Sequence, residues 1–231
     1  MTRRRVRSSP SGLPLNGSPL LTHLRSKDMV MPASLDHIVM AVPNLAAAQE
    51  SFRTELGLQV LGGGRHDGAG TENAIVPLHD CYLELVTVVD PSAAAANPFG
   101  RLVTFALDHH LLLAGWAIAC SPPAAASLSH QRLTREGVAV DLYGIEEITA
   151  ASHRPFGLVR PPHQPRPGAE ARPAARLVRV WATAGGGLVD ALTFADPPSL
   201  LAEDGVSGHL AAIELVLPDG SALTLTSDSR S

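Results

Sequence analysis

The sequence predicts an α+β fold built on a mixed sheet, and three observations carry that expectation. A β-branched apolar run, Leu35-Asp36-His37-Ile38-Val39-Met40-Ala41-Val42, opens the readable part of the chain. A capped helical pattern follows it directly. Three further extended runs, divided by short turn signals, then close the unit at about residue 89. With 231 residues the chain has room for one large domain or two small, similar modules.

Each element has a local cause. Pro43-Asn44 turns the chain, and Asn44 can cap a helix running from Leu45 to about Leu56. Leu45, Ala48, Phe52 and Leu56 fall on one face of it, and Gly57 suits the left-handed residue that ends it. Leu58 to Leu61 reads as a strand, Gly62 to Gly70 as a glycine-rich loop, and Glu72 to Leu78 as a strand. His79-Asp80 then turns into the last run, Cys81 to Val89. In the second half Leu113 to Cys120 reads as a strand. Ser121-Pro122 supplies a cap and a first-turn proline for a helix reaching Glu136, with Gly137 as its stop. Val138 to Leu142 resumes an extended run, and the Pro-rich segment from Pro161 to Pro173 cannot hold a central strand. Arg176 to Thr183 is the next strand, and His209 to Leu217 with Ser221 to Thr226 makes a hairpin about Pro218-Asp219-Gly220. The run Tyr82-Leu83-Glu84-Leu85-Val86 is echoed by Ala212-Ile213-Glu214-Leu215-Val216, late in the second half where a duplicated module would place it.

Composition removes several function classes. A net charge of -4 gives no basic excess to draw nucleic acid or an anionic membrane, so a small, weakly charged molecule is the expected partner. Cys81 and Cys120 are the only cysteines and lack Cys-x-x-Cys spacing, which argues against a zinc ribbon or a disulfide scaffold and for a reducing, cytoplasmic setting. The longest apolar stretch, Leu102 to Cys120, is broken by Asp108, His109 and His110 and makes a poor membrane span. Residues 1–33 carry Arg3, Arg4, Arg5, Arg7, Arg25 and Lys27 before the first acid, Asp28. They are read as a disordered extension or a start placed upstream of Met29 or Met31, although an Arg- and Ser-rich start also fits a transit peptide.

His37 and Glu84 stand in runs that otherwise read as sheet core. A carboxylate among Tyr82, Leu83, Leu85 and Val86 must face water, hold a proton or meet a cation. A strand histidine can equally be satisfied by a neighbouring carbonyl or acid. The Gly62 to Asn73 segment lacks the dinucleotide and P-loop patterns and joins strand to strand, so phosphate binding is not expected. Its glycines let the backbone turn, with His66 and Asn73 expected there as ligand-facing hydrogen-bonding groups. No Gly-x-Ser-x-Gly or His-Glu-x-x-His motif is present, which removes the commonest serine hydrolase and zinc protease signatures.

Taken together, Leu35-Asp36-His37-Ile38-Val39, the run from Gly62 to Asn73, and Tyr82-Leu83-Glu84-Leu85-Val86 resemble the glyoxalase-like domains of the vicinal oxygen chelate superfamily. Residues 35–90 carry most of the likeness. It implies paired βαβββ modules whose curled sheets enclose a cup with helices outside: residues 34–91 as the first module and 112–231 as a divergent second half of one domain, 34–231. It implies a divalent metal (iron, manganese, zinc, nickel or cobalt) held by His37 and Glu84, with Glu214 as third ligand or as the catalytic base. His66 and Asn73 would contact a substrate carrying adjacent oxygens. The second-module strand expected to answer Leu35 to Val42 is Ala175 to Ala182, which has no histidine at the matching place. A metal-free module that binds a small molecule in the same cup is therefore the competing expectation, and a homodimer stays open.

Overall fold

The computed structural model of the chain describes residues 34–120, 128–149, 151–171, 173, 175–184, 187–190 and 208–227. The expected basic extension and the start of the helix expected after Ser121 lie outside the described residues. Eight strands form a closed barrel: β1 (Ser34–Ala41), β2 (Leu61–Asp67), β3 (Thr71–Pro77), β4 (Tyr82–Val88), β5 (Leu113–Ala119), β6 (His130–Arg135), β7 (Val138–Tyr143) and β8 (Phe156–Val159). Their order around it is β1-β4-β3-β2-β6-β7-β8-β5. Two four-stranded halves thus meet at two antiparallel seams, β1 with β5 and β2 with β6. Within each half the first strand runs parallel to the last, β1 beside β4 and β5 beside β8.

The first half is the strand, helix and three strands read from the sequence. Helix α1 (Leu45–Thr54) starts because the Asn44 side chain accepts the Ala47 N–H at 3.0 Å, and Gly57 takes φ +64° just beyond it. Two further helices, α2 (Pro91–Ala96) and α3 (Pro98–Asp108), were not expected. Asp90 and Asn97 cap them, each followed by a proline that needs no N–H in the first turn. Phe99, Leu102, Val103 and Ala106 of α3 pack with Val39, Ala41, Val86 and Ala114, closing the barrel where β1 and β4 end.

The second half of the barrel differs from the sequence reading. The strand that answers β1 is β5, and the helix expected to reach Glu136 gives way to β6, which pairs with both β7 and β2. Gly137 is no helix stop; with Glu136 at φ 50° and Gly137 at φ 79° it makes the tight β6–β7 turn. The run Ala175 to Ala182 belongs to a separate four-stranded sheet of β9 (Arg176–Ala184), β10 (Gly187–Asp190), β11 (Leu210–Val216) and β12 (Ala222–Thr226), in the order β10-β9-β11-β12. That sheet covers the outside of the first module: Val180, Ala182, Ile213 and Leu215 share one core with Ile38, Met40, Leu83, Leu85 and Phe52. Among the described residues no helix is long and apolar enough to cross a membrane.

Candidate functional site

The strand alternation that buries Leu83 and Leu85 against the outer core turns Glu84 into the barrel. Parallel pairing sets His37 beside Tyr82 and Val39 beside Glu84, so the imidazole lies diagonally across from the carboxylate, His37 Nε2 being 3.4 Å from Glu84 Oε2. A second imidazole arrives from β2, with His66 Nε2 3.5 Å from Glu84 Oε1. Asn73 on β3 donates its amide to that same oxygen and lies 3.2 Å from His66 Nε2. All four side chains are buried. His37, His66, Asn73 and Glu84 are thus brought together, inside the barrel rather than at its rim.

The glycines before His66 make this approach possible. Residues 61–67 are the strand β2, not the loop read from the sequence, and a Cβ on Gly63 would sit 2.1 Å from the carbonyl and the side-chain oxygen of Asn73. Gly64 N–H donates to Asn73 Oδ1 at 3.0 Å, which fixes the amide with its NH₂ toward Glu84.

Two functional groups were missed from sequence, Asp36 and Arg160. Neighbours on a regular strand face opposite ways, but β1 carries a bulge against β5 between Leu35 and His37. The extra residue lets Asp36 and His37 lie on one side. Asp36 Oδ1 is 2.8 Å from His37 Nδ1; a carboxylate only accepts, so Nδ1 carries the proton and Nε2 is left facing Glu84. Arg160, just after β8, donates to both oxygens of Asp36 at 3.2 and 2.6 Å and to the Tyr82 hydroxyl at 3.0 Å. The acid beside His37 was visible in the sequence, whereas Arg160 left no signal there.

Burial pushes the Asp36 carboxyl up, but the hydrogen bond and charge of His37 and the charge of Arg160 outweigh it and hold it below the usual carboxylate range. Burial likewise raises Glu84, and here the His66 hydrogen bond, the His37 and His66 charges and the Asn73 amide prevail, holding it at about 2. Both carboxylates are therefore ionised at neutral pH. The Tyr82 hydroxyl is pushed up by burial and by Asp36 and Glu84, so it stays a proton donor. Burial also pushes the Cys81 thiol to about 12, which removes it as a nucleophile.

These groups open on a cavity of about 500 Å³, counted out to its mouth. The first module supplies its polar wall, His37, His66, Tyr82 and Glu84. Facing it, β6, β7 and β8 present Leu133, Val140, Leu142, Phe156 and Leu158. The places on β5 and β8 that answer His37 and Glu84 hold Ala117 and the Phe156–Leu158 pair, so the second module brings no ligand pair.

Glu214 does not join the cluster. On β11 its neighbours Ile213 and Leu215 face the barrel's outer core, so Glu214 points away from the barrel, toward Arg179 at 4.0 Å. The expected trio of His37, Glu84 and Glu214 thus does not converge, and the base role given to Glu214 has no geometry behind it. The His66 imidazole is no simple replacement, because Glu84 turns a different oxygen to each histidine. Among the described residues no group of three or more His, Cys, Asp or Glu side chains is arranged to hold a metal ion. As placed, His37, His66 and Glu84 do not converge as a ligand set among the described residues.

Two four-stranded halves closed into one barrel around a histidine and a glutamate define a protein of the vicinal oxygen chelate class. The glyoxalase-like domain family matches residues 35–192, more than half of the sequence, and the chain belongs to that family. A comparison with curated protein sequences yields no match. Among solved structures, a hypothetical protein from Staphylococcus aureus is similar at 14% identity, over 85% of this chain and 86% of its own, with a TM-score of 0.56. A methylmalonyl-CoA epimerase from Mycobacterium tuberculosis, at 16% identity, matches 62% of this chain and 95% of its own with a TM-score of 0.42. A hypothetical protein from Bacillus halodurans, at 14% identity, matches 58% and 96% with the same TM-score of 0.42.

Proposed function

We propose that the protein is a glyoxalase-like enzyme that moves a proton on a small oxygenated molecule bound in the cup, in isomerase- or lyase-type chemistry. The observation that carries this reading is the line Asp36–His37–Glu84. One carboxylate lies 2.8 Å from Nδ1 of the imidazole and another 3.4 Å from Nε2, all three buried at the cavity wall. Asp36 positions the ring in one tautomer and leaves Nε2 to take a proton from a carbon next to a carbonyl. The imidazolium so formed stands between two ionised carboxylates, which stabilise it. His66 Nε2 accepts the Asn73 amide when neutral and turns its proton to Glu84 when charged, so it can return a proton to the substrate. Tyr82, kept protonated, offers a hydrogen bond to the carbonyl oxygen. Free thiols at Cys81 and Cys120 are in keeping with a reducing, cytoplasmic setting.

The test is hydrogen–deuterium exchange at the acidic carbon of pyruvate, 2-oxobutyrate and methylglyoxal in D₂O, followed by proton NMR. Wild type should accelerate exchange of at least one, and His37→Ala should lower that rate by about 10²-fold or more. Equal rates in the two proteins would remove the proposal. A divalent ion retained by wild type and lost from His37→Ala and Glu84→Gln would restore the metal expectation. The apolar second half of the cup supports one other reading, a binding module without chemistry. Stabilisation by a small molecule with no exchange in wild type would select it.

A further inference from the structure

Beyond the inner cavity lies a larger outer chamber of about 950 Å³, counted with its open side, under the Pro-rich segment Gln164–Ala171. That segment is pinned in place: Arg166 donates to the backbone carbonyls of His79 and Asp80, and Gly168, at φ +75°, lets the chain pass so close to Pro77 that an added Cβ would lie 2.8 Å from its ring. Arg135, Val138, Arg160 and Pro167 border both spaces and form the neck between them.

The three arginines that line the outer chamber are not equivalent. Arg160 is committed to Asp36 and Tyr82, and Arg166 to two carbonyls. Among the described residues Arg135 makes a single side-chain hydrogen bond, of 3.3 Å to the Asn73 side-chain oxygen, and no carboxylate comes within 4.0 Å of it. Glu170 is the one carboxylate among the described residues that line the outer chamber, and it is exposed. A guanidinium has five donors in a planar fork that matches carboxylate or phosphate oxygens. Here a half-buried fork with spare donors and no carboxylate in contact stands at the entrance of the cup.

We propose that Arg135 is the anion anchor of this protein, holding the carboxylate or phosphate group of the substrate at the neck while the adjoining carbon reaches His37 and Glu84. The proposal rests on the proton-transfer reading of the cup and names its substrate class, a small oxygenated acid. Asn73 ties the two functions together, because the amide that accepts from Arg135 also donates to Glu84. The anchored end therefore sits one side chain away from the reacting groups. A neutral analogue leaves the fork unpaired in a partly dry neck and binds less well.

Calorimetric titration of the full chain with pyruvate, methyl pyruvate and inorganic phosphate tests this. Wild type should bind an anion at least tenfold more tightly than the ester, and the pyruvate and phosphate arms show which anion fits. Arg135→Gln should erase that preference. If Arg135→Gln does not fold, Arg135→Lys carries the test: a point charge in place of the fork should weaken anion binding several-fold without moving the ester. An unchanged anion preference in the folded Arg135 variant, or a wild type that binds neither anion better than the ester, overturns the anchor. Intact preference without proton exchange would remove the proton-transfer reading alone and leave the anchor standing.

Discussion

At the scale of single residues, His37 is defined by the two carboxylates that it faces. Asp36→Asn should leave the ring in place but relax its tautomer, so kcat for proton exchange should fall about 10²-fold or more with KM little changed. A rise in KM at constant kcat would show that Asp36 serves binding instead. Arg160 is the partner that lets Asp36 be buried as an anion. Its removal should destabilise the fold by on the order of 3 kcal/mol in chemical denaturation, because a buried carboxylate loses its bidentate partner. A change below about 0.5 kcal/mol would mean that water replaces the guanidinium without loss. His37 and Glu84 were legible in the sequence because ionisable groups in strand-core runs are costly. Asp36 was overlooked for a physical reason: alternation assigns it to the opposite face, and only a bulge, which depends on the partner strand, brings it round.

At the scale of elements, the site depends on how closely β2 lies against β3. Gly63→Ala places a methyl group 2.1 Å from two Asn73 oxygens, which no rotamer can relieve. We expect a loss of roughly 2 kcal/mol or more and a fall in proton exchange, since Asn73 and with it Glu84 must move. Native stability by denaturant titration together with wild-type exchange would show that the two strands are looser than this geometry. The same glycines misled the sequence reading, because a run of glycines resembles a loop until the side chain that needs the space is known. The run from His130 to Arg135 was read as helix from the Ser121-Pro122 start before it and the Gly137 stop after it; pairing with β7 and β2 overrides those local signals. Helices α2 and α3 did carry readable signals, Asp90-Pro91 and Asn97-Pro98, ahead of the stretch from Leu102 that was weighed only as a membrane span.

At the scale of the whole molecule, the echo between Tyr82–Val86 and Ala212–Val216 has a packing cause. Both runs turn their apolar side chains to one shared core from opposite sides, so Glu84 enters the barrel and Glu214 leaves it. The paired barrel was legible from the first module and the family likeness, whereas the covering sheet was not, because its strands obey the same alternation as barrel strands. The buried charges also set the response to acid. Asp36 and Glu84 both ionise lower in the folded chain than in the unfolded one, so the stability they contribute is full above the unfolded carboxylate range and is lost as pH falls. Thermal stability should therefore decline steadily from about pH 5 toward pH 2, and less steeply in Glu84→Gln, as scanning calorimetry can check.

The central claim is that an ionised carboxylate lies between two imidazoles inside the barrel. Carbon-13 NMR titration of the Glu84 side-chain carboxyl tests it most directly. The expected result is a carboxylate that stays ionised to below pH 4, with a titration midpoint that rises in His37→Ala and again in His66→Ala. A midpoint above 4.5 in wild type, indifferent to either histidine, would mean that Glu84 is buried without these partners, and the proposed proton path would be lost with them.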